Sequence, residues 1–215
     1  MIDFYCWRSG NNLKIYMMLE EAGLAYTDHV VNLSKKEQMK PEYLAINPNN
    51  KVPAIIDSDG PGGKPITLFE SGAILIYLAE KTNTLRPTDE RAWFDAVQWL
   101  MWQMGGPGAI FTEAHYFHAR EGKPGNDYSL DRYTKESHRL LGVANKRLGE
   151  STYIAGPDYS IADIGLWPHC STTARFGGSL DDYPNIQRWF KLVEERPATK
   201  RALAKTDAIR RATAV

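Results

Sequence analysis

Cysteine is scarce in this chain: Cys6 and Cys170 are the two in 215 residues. Two thiols are too few for a disulfide framework, and too isolated for a zinc centre, which ordinarily takes about four ligands at short spacings. An excess of one charge is lacking too. Lys+Arg and Asp+Glu number 26 each, the formal charge is zero and the isoelectric point lies near 7.0. No electrostatic term therefore draws the chain to nucleic acid or to an anionic membrane. No segment approaches the roughly 20 apolar residues of a membrane span, and mean hydropathy is −0.43. The start, Met1-Ile2-Asp3-Phe4-Tyr5, carries no basic stretch ahead of an apolar one. A secretory signal is not read there, and a cytoplasmic location is expected.

What is present is a switch of period. Residues 2–6 alternate as a strand, and Ile15, Met18, Leu19 and Ala22 then fall at helical spacing before Gly23. Strands are predicted at 26–33, 53–56 and 66–69, with a helical or irregular connection at 37–44. The turn residues Asp59-Gly60-Pro61-Gly62-Gly63 close a hairpin between the last two strands. Ala73, Ile74, Tyr77 and Leu78 begin another helix, so residues 1–82 read βαβαββα, an α/β unit. Residues 83–88, with Asn83, Arg86 and Pro87, read as a linker.

Residues 89–215 show no convincing strand and read as an all-α helical bundle. A helix from 89 to 103 is broken by Gly105-Gly106-Pro107-Gly108 and resumes to 118. Residues 121–127 form a loop, 128–148 a long amphipathic helix, and 184–193 and 197–204 two more. Ser160-Ile161-Ala162-Asp163 is a capping box heading a buried helix at 164–170, a structural signal.

The most informative stretches are Asn50-Lys51-Val52-Pro53-Ala54-Ile55-Ile56-Asp57 and Leu68-Phe69-Glu70-Ser71-Gly72-Ala73-Ile74. Proline cannot donate to a ladder, so Pro53 belongs at a strand's start, and a cis bond there would turn the Val52 N–H and C=O outward as a pair for an extended peptide. Glu70 and Ser71 meet free N–H groups at a helix start, an arrangement suited to a ligand with an amine, a carboxylate and a peptide backbone. Glutathione is such a ligand. Glu70 would take its α-amino group, Ser71 the γ-glutamyl carboxylate and Val52 the cysteinyl amide. The plainer alternative makes Val52-Pro53 an ordinary strand entry and Glu70-Ser71 a helix cap.

With Asn47-Pro48-Asn49-Asn50-Lys51-Val52-Pro53 and the stretch from Gln98 to Gly108, these motifs resemble the glutathione transferase superfamily, and within it the bacterial nu class and its fungal prion-related cousins. The resemblance covers nearly the whole chain. It implies a thioredoxin-like, glutathione-binding first domain (1–82), a helical second domain (89–215), glutathione as bound co-substrate, no metal, and a homodimer.

It also implies a site. A free thiol has a pKa of about 8.5, and only its thiolate is a nucleophile. The loop after the first strand, Trp7-Arg8-Ser9-Gly10-Asn11, would deliver donors to the sulfur, and the nu class places an asparagine and a hydroxyl where this chain has Asn11 and Ser9. The plainer reading makes Asn11 or Asn12 the helix cap and Ser9 a turn residue. Bulky Trp7 and Arg8 depart from the small residues and proline usual in that class. Gln38, Lys51 and Arg132 match further ligand-contacting positions, for the glycyl carboxylate or a second glutathione.

A rival mechanism uses Cys6 as a protein nucleophile, though Cys6 shares the apolar face of Ile2 and Phe4. A second substrate is expected against the broken helix, near Met104, Gly108, Phe111, His115, Tyr116 and Phe117, residues that equally well pack a core. His115 and His118 lack the partners of a metal site. The expected chemistry is disulfide reduction by exchange with bound glutathione, with conjugation to electrophiles, or glutathione binding without turnover, as alternatives.

Overall fold

The computed structural model describes residues 1–213. Ala214 and Val215, the end of the expected helical domain, lie outside the described residues. The chain forms two compact units: Met1–Thr84 with the chain from Arg196 onward, and Leu85–Glu195.

The first unit is built on a four-stranded mixed sheet. Strands β1 (Ile2–Cys6), β2 (Tyr26–Val30), β3 (Ala54–Asp57) and β4 (Ile66–Phe69) lie in the order β2-β1-β3-β4. β2 runs parallel to β1, and β3 and β4 are antiparallel to their neighbours. The expected alternation of β1 places Ile2, Phe4 and Cys6 in the core. Helix α1 (Gly10–Ala22) joins β1 to β2; short 3-10 turns and α2 (Pro41–Leu44) occupy the irregular connection; α3 (Ser71–Thr82) follows β4.

Helix α9 (Pro197–Ala212) packs on α1. Arg196 holds Glu21 through two bonds of 2.6 and 3.0 Å, and Arg201 holds Glu20 at 2.6 Å. The sequence reading assigned these residues to the helical domain because they follow it. The pairing of Arg196 with Glu21 spans 175 positions and leaves no local trace.

The second unit contains α4 (Glu90–Gly105), α5 (Pro107–His118), α6 (Asp127–Glu150), α7 (Ile161–Cys170) and α8 (Pro184–Glu194). The expected break falls at Gly106 and Pro107, where the chain turns from α4 into α5. All ten residues of α7 are buried, and Gly165 lets it approach α4 closely, since a Cβ there would lie 2.8 Å from Leu100 Cδ1. The capping box is formed as expected. Asp163, fully buried, accepts from the N–H groups of Ile154 and Ser160, both at 2.9 Å, and from Trp189 Nε1 at 2.7 Å.

Candidate active site

The loop leaving β1 is anchored by its bulky residues. Trp7 is buried and the Arg8 guanidinium lies over its ring, 5.3 Å from the centroid. That contact accounts for two residues that looked out of place in the sequence. Ser9 follows with extended backbone and occupies the N-cap of α1, so neither Asn11 nor Asn12 is the cap. Its side chain makes no capping bond to the backbone; Ser9 Oγ instead accepts from Asn12 Nδ2. With a lone pair committed to Asn12, the hydroxyl can direct its hydrogen to another acceptor.

A cavity of about 230 Å³ in the first unit is lined by Asn11, Asn47, Lys51, Val52, Pro53, Glu70 and Ser71. It gathers amide groups, a cation, an anion and a hydroxyl from three separated stretches of chain. Asn11 stands in the first turn of α1, two residues past the Ser9 cap. The stretch 47–51 is shaped by Asn47, which is buried, donates from Nδ2 to the Lys51 carbonyl at 2.7 Å and accepts from the Asn49 N–H at 2.9 Å. The Tyr43 hydroxyl donates to the same Lys51 carbonyl. This ties the turn to α2 and delivers Val52 and Pro53 at the entry to β3. The Val52-Pro53 peptide is cis.

Glu70 closes the other side. It sits between β4 and α3 with φ 70° and ψ 115°, and its side chain makes no capping bond to the helix. A non-glycine residue at positive φ costs about 1–3 kcal/mol and persists where the surroundings impose it, often at a ligand site. Helix capping therefore does not explain Glu70. Ser71 beside it opens α3 and is 2% exposed.

Behind Ser71 lies Lys14, which the sequence reading did not single out. It is fully buried, with Nζ 3.4 Å from Ser71 Oγ. Burial pushes its ammonium pKa down to about 7, while the Glu70 charge acts in the opposite direction. Its signal was present: Lys14 stands three and four residues ahead of Met17 and Met18, on the buried side of α1. Asn47 is a lining residue beyond those expected from the sequence.

Cys6 has no exposed surface, and its sulfur lies 3.3 Å from the Tyr16 hydroxyl. Burial pushes its thiol up to about 12. A thiol so placed is a poor nucleophile at neutral pH.

Three expected site residues, Ser9, Gln38 and Arg132, are not among the lining of this cavity. Gln38 is half-buried on the 3-10 turn Glu37–Met39, and its Oε1 has no hydrogen-bond partner among the described residues. Arg132 stands exposed on α6 in the second unit, where it lines a cavity of about 720 Å³ with Tyr128, Lys135 and Arg139. Of the residues expected to meet a second substrate, Phe111 is core, Phe117 stacks on Tyr133 at 5.3 Å, and Tyr116 is exposed. Among the described residues no group of three His, Cys, Asp or Glu side chains is placed to hold a metal ion, and no helix is long and apolar enough to cross a membrane.

A thioredoxin-like mixed sheet carrying a cis proline beside a Glu-Ser helix start, followed by a helical unit, defines a class of protein, and the comparisons agree with it. Residues 2–80 match the glutathione S-transferase N-terminal domain, and residues 127–192 match the glutathione S-transferase C-terminal domain. The chain belongs to the glutathione S-transferase family. It is similar to the disulfide-bond oxidoreductase YfcG of Escherichia coli (strain K12), 45% identical over 208 residues that cover 95% of each protein. Among solved structures, a glutathione transferase from Burkholderia graminis with two glutathione molecules bound per subunit is 44% identical, with a TM-score of 0.88 over 94% of this chain and 87% of that one. A Pseudomonas putida glutathione transferase with one glutathione disulfide bound per subunit is 39% identical, with a TM-score of 0.87 over 94% of this chain and 90% of that one.

Proposed function

We propose that the protein is a glutathione-dependent disulfide-bond reductase of the nu-class type, in which the cavity of the first unit holds glutathione and the ligand's own thiolate performs the exchange. The observation that carries this reading is the convergence of Asn11, Val52, Pro53, Glu70 and Ser71 on one cavity. Glu70 takes the α-amino group, Ser71 and the N-terminus of α3 take the γ-glutamyl carboxylate, the Val52 backbone pairs with the cysteinyl amide, and Lys51 and Gln38 serve the glycyl end. That pose leaves the sulfur to Asn11 and Ser9.

Lowering the bound thiol's pKa by about two units takes roughly 2.7 kcal/mol of differential interaction. An amide donor, a hydroxyl and the N-terminus of α1 together reach that magnitude. The thiolate attacks one sulfur of the substrate disulfide, forming a mixed disulfide and expelling the other sulfur as a thiolate. A second glutathione thiolate then attacks the mixed disulfide, releasing glutathione disulfide and the second substrate thiol, so two glutathione thiols are oxidised for each disulfide reduced. The similarity to the disulfide-bond oxidoreductase YfcG and the glutathione disulfide in the Pseudomonas putida structure favour this chemistry over conjugation. Arg132 is assigned to the second glutathione, in keeping with the two bound per subunit in the Burkholderia graminis protein.

The reaction needs a reduced glutathione pool, which points to the cytoplasm. A two-fold homodimer is the expected assembly. Turnover of a model mixed disulfide should exceed turnover of a model aryl halide, both measured with glutathione. Faster reaction with the halide would reassign the protein to conjugation, and glutathione binding without either reaction would make it a binding protein.

A further inference from the structure

Lys14 is a costly residue for the position it holds. A buried ammonium is retained where it has something to act on. Its neighbour toward the cavity is Ser71, whose Oγ lies 3.4 Å from Nζ and whose side chain lines the cavity wall. The ammonium is therefore one side chain removed from the ligand space. It stands at the N-terminus of α3, where the helix dipole already carries positive charge. An ammonium donating to the Ser71 oxygen also orients the Ser71 hydrogen outward and strengthens it as a donor.

We infer that Lys14 is a positioning residue that acts through Ser71 to make the cavity select ligands carrying a carboxylate beside their amine, as the γ-glutamyl group does. This rests on reading the cavity as the γ-glutamyl anchor. Without a ligand, the neighbouring counter-charge is Glu70. The ligand amine engages Glu70, and the ligand carboxylate held at Ser71 brings a further negative field to Lys14, so amine and carboxylate are recognised together.

The arrangement carries a proton with it. Lys14 is partly neutral in the empty protein near pH 7, and a carboxylate arriving at Ser71 favours the ammonium, so binding takes up a proton. Several charged groups of the elements packed against α1 have partners of their own. On α9, Arg196 and Arg201 pair with Glu21 and Glu20, and Lys205 faces Asp28. On the sheet, Asp28 also accepts from Tyr16, and Asp57 is held by Lys81 and Tyr77. Glu70 is the charged group at the head of α3 that acts on Lys14.

The experiment is calorimetric titration of wild type and Lys14→Met with S-methylglutathione, whose thiol cannot titrate, and with the analogue in which 4-aminobutyrate replaces the γ-glutamyl residue and so lacks its α-carboxylate. Lys14→Met should bind S-methylglutathione about tenfold more weakly and the analogue within about twofold of wild type. In buffers of different ionisation enthalpy at pH 7.5, wild type should take up a fraction of a proton with S-methylglutathione and the variant none. Equal losses for both ligands would reduce Lys14 to a structural residue, and unchanged affinity would remove its role. If the variant does not fold, the wild-type proton uptake decides alone, and its absence overturns the inference. Wild type that binds no S-methylglutathione, or prefers the analogue, would overturn the reading of the cavity itself.

Discussion

Lys14→Met should raise the stability of the protein while weakening its site. The ammonium pKa falls from 10.5 in the unfolded chain to about 7 in the fold, the larger cause being burial. A lowered pKa means that the unfolded chain holds the proton over a window where the native protein has released it, so native stability rises with pH between about 7 and 10.5. Below that window both states are charged and the full penalty applies. Each pKa unit corresponds to about 1.4 kcal/mol, so Lys14 costs about 5 kcal/mol at pH 6, about 4 at pH 7 and about 2 at pH 9. Methionine has similar length and no charge, and it forfeits the bond to Ser71 and Lys14's further contact, about 1 kcal/mol each. The net gain expected for Lys14→Met is about 1–3 kcal/mol at pH 7, shrinking toward zero by about pH 9.

Urea denaturation of both proteins, followed by tryptophan fluorescence at several pH values, isolates this effect, because the titrating groups not coupled to Lys14 cancel in the difference. A variant less stable than wild type at pH 7, or a difference that stays constant from pH 6 to pH 9, would refute the argument.

Glu70→Gln should weaken glutathione binding by about 1.5–3 kcal/mol through loss of a charge-assisted partner for the ligand amine; an unchanged dissociation constant in calorimetry would remove Glu70 from the site. Asn11→Ala should raise the bound thiol's pKa and cut exchange near neutral pH, with a smaller loss once the pH itself ionises the thiol, so a pH-rate profile merely scaled down would contradict its role. Cys6→Ala should leave exchange largely intact, and intact-mass measurement should find no glutathione adduct on wild type; lost activity in a folded variant would restore the protein-thiol mechanism. Asp163→Ala strands the buried donors of Ile154, Ser160 and Trp189 and should cost about 3–5 kcal/mol; a chemical-denaturation midpoint equal to wild type would show that water replaces the carboxylate.

Much of the candidate site was legible because its residues are local punctuation. A proline before a strand, a Glu-Ser pair before a helix and polar residues after the first strand each carry meaning within a few positions. The structure gathers Asn11, Lys51, Val52, Pro53, Glu70 and Ser71 about one cavity. What escaped the sequence depends on tertiary packing. Lys14 was passed over because helical periodicity was counted on apolar residues, and a lysine in an amphipathic stripe reads as solvated by default. Helix α9 was grouped with its chain neighbours, although its packing lies against α1. Its Arg196 and Arg201 look like any surface charges until Glu21 and Glu20 are seen opposite. Trp7 and Arg8 seemed to unsettle the loop, whereas one is core and the other covers it.

The buried groups of the first unit also support the proposal that the chemistry falls to the ligand's sulfur. Cys6 at the end of β1 and Tyr16 on α1 are turned on each other, with Tyr16 donating to Asp28 at 2.9 Å. Burial and the neighbouring carboxylate raise the pKa of Tyr16, so its hydroxyl stays neutral and committed. Ser9 at the N-cap of α1 and Asn11 in the cavity wall cannot act as nucleophiles without a base, but both can donate a hydrogen bond to an anion. A protein with these side chains does best by binding a thiol that it does not itself contain and stabilising its ionised form. In the proposed pose the same logic applies to Lys14 behind Ser71: in both halves of the cavity, positive potential would meet a negative atom that the ligand supplies.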